Sequence, residues 1–158
     1  GADVVLLAFF GKGDLRGDKK GKDTVVRKLK RIAPVAEKAG VTLGIESQLN
    51  AEEHMKLVDR IGSPAVQVYY DVANMQRNGY DISKEIRQLG DMICEFHAKD
   101  YKDLYGKGSI DFKEVRKAMD DIGYRGWFVM EGVKKPMGVV KSLRYDAEYL
   151  RKIFPRKV

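Results

Sequence analysis

Four times in this chain an apolar run ends on a side chain that can ligate a divalent metal. The runs are VTLGIE ending at Glu46, AVQVYYD at Asp71, MICEFH at His97 and WFVME at Glu131. These ends fall 25, 26 and 34 residues apart, close to one strand-plus-helix unit of an eight-stranded α/β barrel, about 30 residues. Between the runs the apolar spacing turns helical. Val25, Val26, Leu29, Ile32, Ala33 and Ala36 share one face of a helix over 23–38, with Gly40 as its stop. Asn50 with Glu53 three residues on forms a capping-box pattern ahead of Met55, Val58 and Ile61, and Gly62 closes that helix. Ile82, Ile86 and Leu89 before Gly90 give a short helix, and Phe112, Val115, Met119 and Ile122 give another between Asp111 and Gly123. A last helix spans about 138–154.

Strands at 3–10, 41–46, 65–71, 92–97 and 127–131 thus alternate with helices, which predicts an α/β fold with a parallel sheet and right-handed crossovers. The run VVLLAFF within 3–10 reads as a strand covered on both faces. In a parallel barrel the strand C-termini meet at one face, so Glu46, Asp71, His97 and Glu131 are expected to converge there. Residues 1–158 read as a single domain that supplies five of the eight strands of a barrel, a partial barrel. Two open strand edges then require cover: by upstream residues, which the Gly1 start favours, by a second copy forming a homo-oligomer, or by a flattened, less stable sheet.

Composition excludes some classes. With 158 residues and 44% apolar content the chain can bury one core, and no run approaches the ~20 apolar residues of a membrane span. The lone Cys94 excludes a disulfide within the chain and, inside an apolar strand, reads as a buried inert thiol. No signal peptide is visible, so the expected location is cytoplasmic unless an address lies upstream. The formal charge of +7 is spread along the chain: RKLKR at 27–31, KK at 134–135, and RK at 151–152 and 156–157. Without aromatic interleaving these read as solvated faces, and neither a nucleic-acid nor a membrane partner is expected. The loop GKGDLRGDKKGKD lacks the GxxxxGK[ST] spacing of a phosphate loop and reads as a mobile loop at the barrel mouth. His54 reads as a surface helix residue, and Trp127 and Tyr124 as packing residues.

The segments GVTLGIES, YYDVAN, EFHAKD, GKGSIDF and GYRGWFVMEG, in this order, resemble the sugar phosphate isomerase/epimerase superfamily, the xylose isomerase-like TIM barrels. Within it the sequence is most similar to ketose and ketose-phosphate 3-epimerases and hydroxypyruvate-isomerase-like proteins. The resemblance covers nearly the whole chain, as strands four to eight of the family's barrel. It implies Glu46, Asp71, His97 and Glu131 as metal ligands, with Glu46 and Glu131 also the catalytic acid/base pair. It further implies Asn74, Lys99 and Asp100 as substrate-binding residues, Lys99 and Asp100 matching the family's H-x-K-D. Two positions depart from the pattern: Asn74 stands where a His is often found, and Asp103 where an Arg is often found.

The chemistry of such a set can be stated without the family. Moving a stereocentre or carbonyl along a sugar requires removing a proton from carbon beside a carbonyl, and a divalent cation stabilises the resulting enediolate as a Lewis acid. A carboxylate on each face can remove and return the proton. Three carboxylates and one imidazole suit Mn²⁺ or Mg²⁺ best, with Zn²⁺ and Co²⁺ also accommodated. The expected function is a metal-dependent isomerase or epimerase of a small carbohydrate or its phosphate. The alternatives are an inactive partial barrel or binding fragment, and a phosphodiesterase of the endonuclease IV kind. The last needs three zincs and several histidines, against the two in this chain.

Overall fold

The computed structural model describes residues 1–155, so the basic pair at 156–157 lies outside the described residues. Five strands form one parallel sheet in chain order, β1 (Val4–Phe9), β2 (Thr42–Ser47), β3 (Val66–Asp71), β4 (Ile93–Ala98) and β5 (Phe128–Met130). Each strand is followed by helix, as strict alternation requires for parallel neighbours. Two units can be distinguished among the described residues, 1–70 with 88–95, and 71–87 with 96–155.

In the first unit β1 pairs with β2 from Val4↔Thr42 to Phe9↔Ser47, and β2 with β3 from Leu43↔Val66 to Ile45↔Val68. Helix α1 (Lys19–Ala39) starts earlier than Asp23 because the carboxylate of Asp18 accepts from the Gly21 N–H at 2.9 Å. Gly40 ends it at φ +65°, a conformation that favours glycine. Asn50 caps α2 (Ala51–Ile61) by accepting from the Glu53 N–H at 2.9 Å, as the sequence predicts. The Glu53 side chain pairs instead with Lys22 at 3.0 Å. Leu29, Ala33, Ile45, Leu49, Leu57, Ile61 and Val66 bury together between sheet and helices.

Two expectations for this unit need correction. The strand at the start of the chain is not covered on both faces: Leu7 and Phe9 pack on the core, but Val5 and Leu6 are 42% and 41% exposed. An edge strand has a strand neighbour on one side only, and an unbroken apolar run cannot reveal which strand is the edge. Ile32 is likewise exposed rather than buried, since it lies at the margin of the stripe centred on Val25, Leu29, Ala33 and Ala36.

In the second unit β4 pairs with β5 from Phe96↔Phe128 to Ala98↔Met130. After β3 the chain enters α3 (Val72–Arg77), then α4 (Ile82–Leu89). Asp111 caps α5 (Phe112–Asp121) through the N–H groups of Lys113 and Glu114, and α6 (Val139–Ile153) follows β5. The core is aromatic. Phe96 meets Tyr124 edge-on with centroids 4.7 Å apart, and Tyr105 lies 4.8 Å from Phe112. Tyr124 therefore packs as expected. Trp127 does not: it is 70% exposed, at the start of the strand that ends the sheet. Among the described residues no helix is long and apolar enough to cross a membrane.

Candidate metal centre

Asp71 is the last residue of β3 and also the N-cap of α3. Its Oδ1 accepts from the N–H groups of Ala73 at 2.9 Å and Asn74 at 2.8 Å. This use satisfies donors that a helix start leaves without partners. The carboxylate is fully buried. Its second oxygen, Oδ2, lies 3.9 Å from His97 Nδ1 and 3.3 Å from Lys99 Nζ. His97 and Lys99 both point this way because a single residue, Ala98, separates them at the end of β4, the i, i+2 spacing that returns a strand to the same face.

Glu131 follows β5, and its N–H donates to the Ala98 carbonyl at 2.8 Å, prolonging the ladder beyond Met130. One carboxylate oxygen, Oε2, lies 3.4 Å from His97 Nδ1. The other, Oε1, accepts from Lys99 Nζ at 2.8 Å. Burial works against charge on Lys99, but the hydrogen bond to Glu131 and the charge of Asp71 outweigh it and raise its pKa above that of a free lysine. The ammonium therefore stays protonated between two carboxylates.

The donor set fits a divalent cation. Ligands about 2.1 Å from a common ion stand roughly 3.0–3.5 Å from one another. Glu131 Oε2 and His97 Nδ1 stand 3.4 Å apart, and Asp71 Oδ2 lies 3.9 Å from the same nitrogen. Modest contraction would bring all three onto one ion. Glu46, next to last in β2, is buried at 4% exposure. Among the described residues, Asp71, His97 and Glu131 belong to a group that could hold a metal ion.

The remaining sequence candidates have identifiable surroundings. Asn74 is buried, and its Oδ1 accepts from the Tyr101 hydroxyl at 2.6 Å. That bond fixes the orientation of the amide. Asp100 is fully buried, and its two oxygens accept from the N–H groups of Lys102 and Ile110, each at 2.8 Å. It ties both ends of the loop over 101–110. Gly108 permits this, because a Cβ there would fall 2.2 Å from the carboxylate. Asp103 accepts from the Leu104 N–H at 2.7 Å. Cys94 is half-buried: its Sγ donates to the Val68 carbonyl at 3.3 Å, and burial pushes the thiol pKa up to about 12. An inert thiol follows.

His54 corrects the sequence reading outright. It is 1% exposed, and its Nε2 meets Ser47 Oγ at 2.8 Å. A signal was present in the sequence, because His54 occupies the same helical stripe as Leu57, Val58 and Ile61. Tyr101 was also missed, having no spacing that marks it as a partner of Asn74.

Comparison with known proteins extends the geometry. The family model of the xylose isomerase-like TIM barrel matches residues 1–153. A D-psicose 3-epimerase of Enterocloster bolteae is 33% identical over 138 residues, covering 81% of this chain and 46% of that protein. The crystal structure of D-psicose 3-epimerase with D-tagatose from Clostridium cellulolyticum H10 superposes with TM-score 0.67 at 29% identity. The match covers 81% of this chain and 48% of that one. A xylose isomerase domain protein from Planctomyces limnophilus gives TM-score 0.77 at 18% identity, over 96% of this chain and 58% of that one, which shows a common fold. The chain spans about half the length of the curated relatives it matches.

Proposed function

We propose, from the premise that the chain belongs to the xylose isomerase-like TIM barrel family, that it carries the metal-ligand side of an isomerase site. The reaction is epimerisation or aldose–ketose isomerisation of a small carbohydrate or carbohydrate phosphate. One observation carries this reading: Asp71, His97 and Glu131 present two carboxylate oxygens and an imidazole nitrogen at ligand spacing. Similarity to epimerases supports the reaction class.

Glu46, Asp71, His97 and Glu131 would hold the ion. A set of three carboxylates and one imidazole favours Mn²⁺ or Mg²⁺ over softer metals. When bound, such a cation supplies Lewis-acid stabilisation of negative charge developing on substrate oxygens, a contribution of several kcal/mol. Endonuclease-type chemistry with three zincs is disfavoured by the presence of one imidazole in the group.

The side chains divide the remaining work. Glu131 turns Oε2 toward His97 while Lys99 holds Oε1. That bond fixes the carboxylate's rotation, so its proton transfer occurs from a set position. Glu46 serves as the opposite member of the acid/base pair, removing or returning the proton on the other face of the substrate. Asn74, held by Tyr101, donates its amide N–H to a substrate hydroxyl and cannot itself carry the proton. Lys99 offsets the negative charge of Asp71 and Glu131 in a site where Asp71 has no contact with bulk water.

Deuterium exchange tests this reading. The chain, supplied with Mn²⁺ and a ketohexose in D₂O, is expected to place solvent deuterium on the carbon beside the carbonyl. Glu46→Gln and Glu131→Gln should each abolish the exchange, whereas Asn74→Ala should slow it. Exchange at the unaltered rate in either Glu→Gln variant would refute the acid/base assignment.

A further inference from the structure

We propose that His54 and Ser47 are positioning residues for Glu46, a role that rests on the metal-site reading and deepens it. Side chains alternate along β2, so Gly44 and Glu46 share one face while Leu43, Ile45 and Ser47 share the other. Ile45 buries with Leu49 and Leu57 in the layer between sheet and helices. Ser47 lies on that same face, fully buried, and meets His54 of α2. Leu43 and Ile45 of β2 and Leu57 and Ile61 of α2 belong to one buried apolar cluster. The Ser47–His54 pair sits within this apolar layer, immediately after the candidate ligand.

The hydrogen bonds define what the pair holds. Ser47 Oγ accepts from the Leu49 N–H at 3.2 Å and meets His54 Nε2 at 2.8 Å. Asn50 then caps α2 through Glu53 N–H. The turn from Glu46 to the helix is thus bound at Ser47, Leu49 and Asn50. Burial lowers the His54 pKa to about 4, so the ring is neutral near neutral pH and acts as a hydrogen-bond partner rather than a charge. His54 Nδ1 is buried without a well-formed hydrogen bond among the described residues, and the Asn50 backbone favours its protonation less than burial opposes it. An imidazole held at that expense in an apolar layer is a poor choice for packing alone, since leucine fills similar space without a buried polar atom. Its gain is directional: it fixes the backbone at Ser47 and hence the direction in which Glu46 leaves the strand. Groups that orient a metal ligand from behind commonly change metal affinity by about 10–100-fold when removed.

A double-mutant cycle on Mn²⁺ affinity separates positioning from general structural support. The constant is measured by calorimetric titration of the chain with Mn²⁺ alone. His54→Leu should weaken binding by about 10-fold while leaving the apo melting temperature unchanged or raised. Ser47→Ala should weaken binding similarly and guards against a folding defect peculiar to His54→Leu. In the Glu46→Gln background the same substitutions should have no further effect, because the ligand they orient is gone. Equal losses in both backgrounds, or unchanged affinity in both single variants, would overturn the proposal and leave the metal site standing. An unaltered chain that binds no Mn²⁺ would refute the metal-site reading itself, and the positioning role with it.

Discussion

The two oxygens of Asp71 do different work, and substitution can separate them. Oδ1 satisfies two N–H groups at the start of α3, and Oδ2 faces His97 and Lys99. Asp71→Asn retains a carbonyl oxygen for the cap but removes the charge, and turns an NH₂ toward the Lys99 ammonium. Lys99 keeps its bond to Glu131, so the expected loss of stability is about 1 kcal/mol. Asp71→Ala removes the cap, worth about 1 kcal/mol, and strands buried donors at a further 1–3 kcal/mol. The two variants should therefore differ by about 2 kcal/mol. With a urea slope of about 2 kcal/mol per M, their unfolding midpoints should lie about 1 M apart. Both should lose tight Mn²⁺ binding. If Asp71→Ala matches Asp71→Asn in stability, the cap does not form as described. If Asp71→Asn binds Mn²⁺ like the unaltered chain, Oδ2 is not a ligand.

Gly44→Ala should destabilise the first unit by about 1–3 kcal/mol, because the new Cβ would lie 2.9 Å from Cys94 Sγ and 3.3 Å from Tyr69 Cβ. Adding Cys94→Ala should recover part of that loss in denaturant unfolding, and full additivity would contradict the contact. The His54 pKa is depressed from 6.5 to about 4 by burial. Below pH 6.5 the unfolded chain thus binds a proton that the folded chain refuses. Its contribution should be lost as pH falls from 6.5 to 4, by about 3 kcal/mol in all. His54→Leu should flatten the stability–pH curve in that window, and an unchanged slope would contradict the burial of the ring.

Much of the site was legible in the sequence because strands and ligands share one rule. A residue at the C-terminal end of a parallel strand has a fixed destination, so Asp71, His97 and Glu131 could be placed from three apolar runs. Caps at Asn50 and Asp111 were legible for a similar reason: their partners are local. What sequence could not supply was exposure. Val5 and Leu6 look like core residues until β1 is seen to be the edge, and Trp127 looks like core until β5 is seen to end the sheet. The roles of Tyr101 and Asp100 depend on how the loop over 101–110 folds back, and no periodicity encodes that path. His54 was a different failure. A histidine between Glu53 and Met55 reads as a solvated helix residue, although its stripe with Leu57, Val58 and Ile61 places it inward.

The central claim is that one divalent ion binds where Asp71, His97 and Glu131 face one another. A crystal of the chain soaked in Mn²⁺ and measured at the manganese absorption edge tests it most directly. The account predicts a single strong anomalous peak, about 2.0–2.4 Å from side-chain atoms of Asp71, His97, Glu131 and Glu46. No peak at this group at millimolar Mn²⁺, or a peak elsewhere with these side chains turned apart, would contradict it.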